Sequence, residues 1–221
     1  MKLIDTSLVH KLGPLPSGGE THHPTLIFLH GRGSHEDDLL GLAPYLDSRL
    51  FFISARATLD FPYGGYTWYQ MQQVGDPEPR TFAESYARLV AFLGNIRQGY
   101  PVDPKRLFLF GFSMGAVMSL ALGLTRPQEI RGVVAHSGYI PETAGLSLQT
   151  GHMDHTAIFV AHGTEDQVIP VSQGRRAREL LSSTKATLTY REYPMGHEVS
   201  EDSIHDIAGW LTELLDGQTK A

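Results

Sequence analysis

Short, nearly continuous apolar runs recur along this chain, and amphipathic stretches separate them. An apolar run with little alternation is typical of a strand that is buried on both faces of a parallel sheet. The last run alternates instead, as a strand with one covered face does. The pattern therefore predicts six strands after the N-terminal region, at residues 25–30, 50–54, 106–110, 132–136, 156–162 and 187–192.

Helical spacing fills the intervals between these runs. Between residues 82 and 96 the apolar side chains recur every three or four positions, so they share one face of a helix. Thr81 offers an N-cap to this helix, and Glu84 three residues later completes a capping box. The other predicted helices lie at residues 37–46, 114–124, 171–181 and 204–215.

The alternation of strands and helices predicts an α/β fold. Such a chain builds a mostly parallel central sheet with helices on both faces. The 221 residues suffice for one well-buried core and are few for two, so we expect a single domain over residues 1–221. Ligands of these sheets bind beyond the carboxyl ends of the strands, which is where chemistry is expected.

Three connections complete the predicted organisation. The first 24 residues carry an apolar patch and then a Gly- and Pro-rich stretch at 13–19, which predicts one or two edge strands with a turn. Residues 57–80 form a long connection rich in glycine, proline and aromatic residues, and a loop of that length is usually functional or mobile. The segment between 138 and 156 contains no long helical insertion, so we expect an open site without a large cap domain.

Composition narrows the classes of function. The net charge is −6 with a pI near 6.0 and no basic stripe, which disfavours a nucleic-acid or anionic-membrane binder. Cysteine is absent, which excludes disulfide and thiolate chemistry and is compatible with a reducing cytosol. No secretory signal and no apolar run of membrane-spanning length is visible, so we expect a cytoplasmic protein without a membrane span.

A G-x-S-x-G motif at residues 111–115 follows one of the predicted strands and opens a helix of small residues. In that context the motif holds a serine on a tight strand-to-helix turn with its hydroxyl exposed. The glycines remove Cβ atoms where strand and helix pack closely. Because short motifs also arise by chance, the prediction of Ser113 as a nucleophile depends on finding its partners.

A serine nucleophile needs a base within hydrogen-bond reach and a carboxylate that orients the base. In this motif context the acid and then the histidine follow the serine along the chain. Asp166 follows the predicted strand 156–162, and His197 follows the strand 187–192, so we predict these two as acid and base. Glu165 is the alternative acid, and His205 is an alternative base that falls inside the final helix.

The tetrahedral intermediate of acyl transfer needs two backbone donors for its oxyanion. One donor is the amide of the residue after the nucleophile, which is Met114. The other comes from the loop after the first central strand, where glycines flank Arg32 on both sides. We therefore predict the amides of Arg32 and Met114 as the oxyanion hole.

The aromatic residues of the segment 57–80 admit two interpretations. Trp68, Tyr66 and Phe61 line a substrate pocket beside Ser113, with Trp68 the strongest candidate, or they anchor the loop to the body of the domain. The sequence leaves both interpretations open.

The 11 histidines raise the question of a metal site. Neither of the two local groups shows the His-x-x-x-His spacing of a helical metal site, and both fall in predicted loops, so we predict no metal. The histidines that end strands, at 30, 136 and 162, are expected to be hydrogen-bonded structural residues. The two groups are His152 and His155 with Asp154, and His22 with His23.

Several segments together resemble the phospholipase/carboxylesterase family of α/β-hydrolases, which includes the acyl-protein thioesterases. The resemblance covers roughly residues 20–216 and departs at Met114, where glutamine is frequent, at Ala116, where glycine is frequent, and across 57–80. It implies an α/β-hydrolase fold with Ser113, Asp166 and His197 as the triad and Arg32 and Met114 as oxyanion donors. The shared segments are Leu-His-Gly-Arg-Gly at 29–33, Arg-Leu-Phe-Leu-Phe-Gly-Phe-Ser-Met-Gly at 106–115, Ser-Gly-Tyr-Ile-Pro at 137–141, His-Gly-Thr-Glu-Asp-Gln-Val-Ile-Pro at 162–170 and Gly-His-Glu at 196–198.

The expected function is that of a serine carboxylesterase of the carboxylic ester hydrolase class. It is expected to act on small-molecule esters with short to medium acyl chains through an acyl-enzyme and without a cofactor. An acyl thioesterase or lysophospholipase-type hydrolase is the nearest alternative, and a non-catalytic binding protein with a hydrolase fold is the alternative from a different class. The sequence leaves a homodimer open.

Overall fold

The computed structural model describes residues 1–16 and 20–217. Among these residues, seven strands form the central sheet, and four short strands form two separate ribbons. The predicted turn at 13–19 falls partly on residues 17–19, which lie outside the described residues. In chain order the strands are β1 (His10–Leu12), β2 (His23–Leu29), β3 (Phe51–Ala55), β4 (Leu59–Asp60), β5 (Tyr66–Thr67), β6 (Met71–Gln73), β7 (Asp76–Pro77), β8 (Val102–Phe112), β9 (Gly132–His136), β10 (Ala157–Gly163) and β11 (Thr187–Tyr193).

The strands of the central sheet lie in the order β1-β3-β2-β8-β9-β10-β11, and the sheet is parallel except at one edge. β1 pairs with β3 in antiparallel orientation, and the other neighbouring strands pair in parallel. β2, β8, β9 and β10 occupy the middle, so their carboxyl ends meet along one edge of the sheet. The α/β fold class with a mostly parallel sheet is therefore confirmed.

Both faces of the sheet are covered, which explains why the strands read as continuous apolar runs. Ile27 and Leu109 face one core cluster, whereas their chain neighbours Phe28 and Phe110 face the other. The helices that cover the faces are α1 (Pro79–Gly99), α2 (Met114–Thr125), α3 (Val171–Ser182) and α4 (Glu201–Leu215). Residues of α1, α2 and α3 belong to the first cluster, and residues of α4 and of the 3-10 segment Leu39–Tyr45 belong to the second.

The predicted start of α1 was wrong by one turn. Glu78 is the N-cap, because its carboxylate accepts the amides of Arg80 at 3.0 Å and Thr81 at 2.8 Å. Pro79 occupies the first helical position, where its fixed φ suits the helix and its missing N–H costs nothing. Thr81 is a residue of the first turn, and its hydroxyl donates to the Glu78 carboxylate at 2.7 Å.

The segment 57–80 is more ordered than a simple loop. β4 pairs with β5 and β6 pairs with β7, each in antiparallel orientation, so the segment folds as two small ribbons. The segment 138–156 contains only the short 3-10 turn Thr150–His152, which agrees with the expected lack of a large cap. Over residues 1–16 and 20–217, no helix is both long and apolar enough to cross a bilayer.

Candidate active site

Ser113 lies on a strained turn between β8 and α2. Its backbone has φ 54° and ψ −119°, a conformation that non-glycine residues rarely adopt. The Ser113 amide donates to the carbonyl of His136 at the end of β9, at 2.9 Å. The hydrogen bond to β9 thus helps to stabilise the strained backbone of Ser113, as expected for a backbone outlier at a functional site.

The two glycines of the motif are required by close packing. A Cβ built on Gly111 would lie 2.2 Å from the carbonyl oxygen of Gly115. A Cβ built on Gly115 would lie 1.8 Å from the carbonyl oxygen of Leu29 at the end of β2. Both distances are far inside van der Waals contact, so only glycine allows the turn to close against the sheet.

Two hydrogen bonds connect Ser113, His197 and Asp166. The Nδ1–H of His197 donates to Oδ2 of Asp166 at 2.7 Å, since a carboxylate only accepts. The other ring nitrogen, Nε2, is then free to accept from the Ser113 hydroxyl at 3.0 Å. The arrangement presents a hydroxyl, an imidazole and a carboxylate in the order that proton abstraction from the serine requires.

The Asp166 carboxylate is fixed on its other side as well. Its Oδ1 accepts the amides of Val168 at 2.9 Å and Ile169 at 2.8 Å, and its side chain is fully buried. His162 approaches Oδ2 to 3.6 Å, and its Nε2–H donates to the carbonyl of Ile169 at 2.8 Å. Burial lowers the pKa of His162, which favours a neutral ring beside the carboxylate. The acid therefore has little freedom to turn away from His197.

The alternative acid and base lie outside this chain of contacts. Glu165 is exposed to solvent although it precedes Asp166 directly. His205 is exposed on the surface of α4, where the sequence placed it. Neither residue lines the cavity at Ser113.

Arg32 and Met114 both line the cavity at Ser113. In the loop after β2, Gly33 donates to the carbonyl of Tyr66 at 2.8 Å and Ser34 to that of Gly31 at 3.4 Å, which leaves the Arg32 amide without an acceptor among the described residues. The Met114 amide opens α2, where the first N–H groups have no partner inside the helix. Both amides are thus available for a negatively charged oxygen, and the helix N-terminus adds favourable dipole charge.

A cavity of about 320 Å³ opens beside the Ser113 hydroxyl. Most of its wall is apolar, and Arg32, Asp38 and His197 contribute its acidic and basic side chains. The apolar wall comprises Met71, Val74, Phe112, Met114, Tyr139, Val168 and Ile169.

The aromatic residues proposed for the pocket do not line this cavity, and that prediction is corrected. Trp68 is fully buried, and its indole N–H donates to the carbonyl of His30 at 2.9 Å. The Tyr66 ring packs under the Arg56 guanidinium at 4.4 Å, and the Phe61 ring packs under Arg32 at 4.6 Å. Trp68 and Tyr66 follow the other interpretation, in which the aromatics anchor the loop, while Phe61 borders an adjacent cavity with Arg32 and Met71.

Five residues of this wall were not singled out in the sequence. Met71 and Val74 come from the β6–β7 ribbon of the segment 57–80, in which the aromatic residues were the predicted pocket candidates. Tyr139, Val168 and Ile169 lie within the family-like segments at 137–141 and 162–170. A signal therefore existed for these three residues, because each follows directly on a strand end or on the predicted acid.

The spare histidines show no metal-binding arrangement. Over the described parts of the chain, no group of three His, Asp or Glu side chains is close enough to hold a metal ion. His152 and His155 are exposed in the loop before β10. His30 and His136 are buried and hydrogen-bonded, as expected for structural histidines.

Comparison with known proteins gives a consistent result. A model of the phospholipase/carboxylesterase family matches residues 15–215. Acyl-protein thioesterase 1 of Mycosarcoma maydis is 27% identical over 92% of this chain and 96% of its own length. Acyl-protein thioesterase 1 of Yarrowia lipolytica is 28% identical over 88% of this chain and 93% of its own length.

The fold also has counterparts among solved structures. The carboxylesterase of Bacillus cereus superposes with a TM-score of 0.82 at 24% identity, over 93% of this chain and 94% of that chain. At that level of identity the likeness concerns the fold, and the arrangement of side chains has to be argued from this chain's own residues.

Proposed function

The chain belongs to the phospholipase/carboxylesterase family and is a hydrolase of the esterase type, and from that premise we propose that it is a serine carboxylesterase that uses Ser113, His197 and Asp166 as its triad. The observation that carries the proposal is the pair of hydrogen bonds from Ser113 to His197 at 3.0 Å and from His197 to Asp166 at 2.7 Å. A nucleophile, a base and an orienting acid in contact are the minimal machinery for acyl transfer.

Acylation begins when the Ser113 oxygen attacks the ester carbonyl. His197 takes the hydroxyl proton on Nε2, and the carbonyl π electrons move to the oxygen, which becomes an oxyanion. Asp166 stabilises the imidazolium and holds the ring in the tautomer that keeps Nε2 free. When the tetrahedral intermediate collapses, the bond to the leaving oxygen breaks, and His197 returns its proton to that oxygen.

Deacylation repeats these steps with water. His197 takes a proton from a water molecule that attacks the acyl-enzyme carbonyl, and the second tetrahedral intermediate releases the acid while Ser113 regains its proton. In both intermediates the oxyanion accepts hydrogen bonds from the Arg32 and Met114 amides. Two observations support this role: neither amide donates a hydrogen bond to an acceptor among the described residues, and both residues line the cavity. The proposed reaction uses no cofactor.

The proposed substrates are small esters with short to medium acyl chains. The cavity volume of about 320 Å³ lies at the lower end of the range that small-molecule sites occupy, which is roughly 300–1,000 Å³. Its wall of Met, Val, Ile and aromatic side chains suits an alkyl chain and offers few polar partners. A short apolar acyl group fits that volume and chemistry.

The direct test is Ser113→Ala measured on a p-nitrophenyl ester. We expect kcat to fall by at least about 10⁴-fold, as it does when a triad nucleophile is removed, with the fold intact by circular dichroism. Ser182→Ala is a matched control, because Ser182 is exposed on α3 and its hydroxyl donates to the carbonyl of Arg178 on the same helix. A Ser113→Ala variant that hydrolyses the ester at the wild-type rate would exclude the proposed nucleophile.

Acyl thioester hydrolysis is the second candidate function. It is favoured by the names of the two fungal relatives, both acyl-protein thioesterases. The same acyl-enzyme chemistry serves both bonds, and only the leaving group differs. Turnover of an oxygen ester and a thioester with the same acyl chain separates the two functions: a larger kcat/KM for the thioester favours the second candidate.

A further inference from the structure

Two consecutive peptide units at the end of β2 each receive a hydrogen bond from a buried ring. The indole N–H of Trp68 donates to the carbonyl of His30 at 2.9 Å. The Nδ1–H of His30 donates to the next carbonyl, that of Gly31, at 2.7 Å. Both rings are fully buried, and their centroids lie 5.7 Å apart.

The second of these carbonyls shares its peptide plane with the Arg32 amide. A peptide unit is planar, and in the trans form its N–H points opposite to its C=O. The Gly31–Arg32 bond is trans. When the Gly31 carbonyl is held toward the His30 ring, the Arg32 N–H is therefore turned away from that ring, and Arg32 borders the cavity at Ser113.

The His30 ring is itself held from its other nitrogen. Nε2 accepts the amide of Ala57 at 3.0 Å, so the neutral ring uses one nitrogen as donor and the other as acceptor. Burial lowers the pKa of His30, which favours that neutral form. The carbonyl of Trp68 accepts a hydrogen bond from the hydroxyl of Ser85, which connects Trp68 to α1.

We propose that Trp68 and His30 are positioning residues for the oxyanion hole: through their ring N–H groups they fix the two peptide units that aim the Arg32 amide at the reacting carbonyl. This inference rests on the proposed function. It also assigns a role to the segment 57–80, because the same segment contributes Tyr66, whose backbone exchanges hydrogen bonds with Gly33 and Ser34. Through Trp68 and Tyr66, the segment 57–80 thus holds the loop after β2 that contains the Arg32 amide.

The test uses Trp68→Phe, which keeps an aromatic ring and removes the N–H. Trp210→Phe is the matched control, since Trp210 is the second of the chain's two tryptophans and packs on Phe159 at α4, in the other core cluster. Three quantities are measured for each variant: the melting temperature, kcat and KM on a p-nitrophenyl ester, and the inhibition constant of a trifluoromethyl ketone. The ketone forms a tetrahedral adduct with the serine and so reports oxyanion binding.

For Trp68→Phe we expect kcat to fall about tenfold and the ketone to bind about tenfold more weakly, less than the ~10²–10³-fold cost of deleting an oxyanion donor outright. KM should change by less than about twofold, because the interaction matters in the transition state. Trp210→Phe should lower the melting temperature with kcat and the inhibition constant unchanged. If Trp68→Phe behaves as Trp210→Phe does, the inference is overturned.

Two substitutions of His30 test the proposal independently, and they apply even if Trp68→Phe does not fold. The amide nitrogen of asparagine takes the place of Nδ1, and that of glutamine takes the place of Nε2. We expect His30→Asn to retain several-fold more kcat than His30→Gln, because only asparagine keeps a donor to the Gly31 carbonyl. Equal losses in both would overturn the role of His30. Ser113→Ala separates this inference from the proposed function. If Ser113→Ala keeps full esterase activity, the proposed function is wrong. If Ser113→Ala is inactive and the Trp68 and His30 variants keep the wild-type kcat, only the inference is wrong.

Discussion

The α-carbon of Gly115 lies against the backbone of Leu29, so closely that a Cβ on the glycine would be 1.8 Å from the Leu29 carbonyl oxygen. This contact joins the first turn of α2, which begins at Met114, to the end of β2, which leads into the loop that contains Arg32. The same Cβ would lie 2.7 Å from the carbonyl oxygen of His30. The spacing between the two proposed oxyanion donors, Arg32 and Met114, is therefore set by a backbone-to-backbone contact that only glycine permits.

Gly115→Ala is expected to lower both stability and activity. The methyl group cannot move away from a backbone carbonyl, so strand and helix must separate, and overpacking of this kind costs ~1–3 kcal/mol or more. We expect a lower midpoint in urea unfolding and a kcat reduced at least about tenfold, because the two donors move apart. Gly94→Ala is the control: a Cβ at Gly94 in α1 meets nothing within 4 Å, so alanine should stabilise the helix by ~1 kcal/mol. A stable and fully active Gly115→Ala variant would contradict the packing argument.

Asp166→Asn tests the proposed acid against its neighbour. An amide in place of the carboxylate stabilises the wrong tautomer of His197 and offers no charge to the imidazolium, so we expect kcat to fall by ~10⁴-fold with a modest change in KM. Glu165→Gln removes the exposed carboxylate one residue earlier and should leave kcat within about twofold of wild type. Steady-state kinetics on one ester decides between them. A large loss in Glu165→Gln with an active Asp166→Asn would assign the acid to Glu165 instead.

The buried strands could be read from the sequence because both of their faces are covered. Phe28 and Ile27 point to opposite core clusters, so positions 26–29 are all apolar and the apolar run stops where the strand leaves the sheet. The start of α1 could not be read in the same way. Thr81 is a preferred type of cap residue and Glu78 is not, so the choice of Glu78 depends on Pro79 and on the carboxylate geometry that the three-dimensional structure provides.

The chemistry and the walls of the site differ in how far the sequence predicts them. Ser113, Asp166 and His197 each follow a strand of one parallel sheet, so their convergence follows from topology once the strands are recognised. The cavity wall depends on which side of the ribbons in 57–80 faces Ser113. Trp68 turns into the core and Met71 turns to the cavity, and no local pattern distinguishes the two.

His136 is expected to make the folded protein sensitive to acid. The ring is fully buried, and burial, with smaller contributions from the nearby His162 and His197, lowers its pKa from the ordinary 6.5 to about 3, against an opposing effect of Asp166. Between these values the unfolded chain binds a proton that the folded chain does not. The stabilisation is therefore complete above pH 6.5 and is lost as the pH falls toward 3, at up to ~1.4 kcal/mol per pH unit for this one group.

The measurement is the free energy of unfolding in urea at several pH values between 7 and 4.5. Wild type should lose stability as the pH falls, with His30 and His162 adding to the effect because burial lowers their pKa values too. His136→Gln should show a slope reduced by ~1.4 kcal/mol per pH unit, whatever its stability at pH 7. His205→Gln, on the exposed face of α4, should retain the wild-type slope. An unchanged slope in His136→Gln would show that another group carries the acid sensitivity.

Met71→Ala is expected to shift the preference of the enzyme toward longer acyl chains. Met71 stands on β6 at the border between the cavity beside Ser113 and the adjacent cavity that Phe61 and Arg32 also line, so shortening it joins the two spaces. Matching a pocket to one more or one fewer methylene is worth ~1–3 kcal/mol, so the ratio of kcat/KM for an octanoyl over a butanoyl p-nitrophenyl ester should rise about tenfold or more. Gln72→Ala is the control, because Gln72 is exposed on the same strand and lines neither cavity. Since the alcohol is constant across the series, an unchanged ratio in Met71→Ala would mean that the acyl chain does not occupy this cavity.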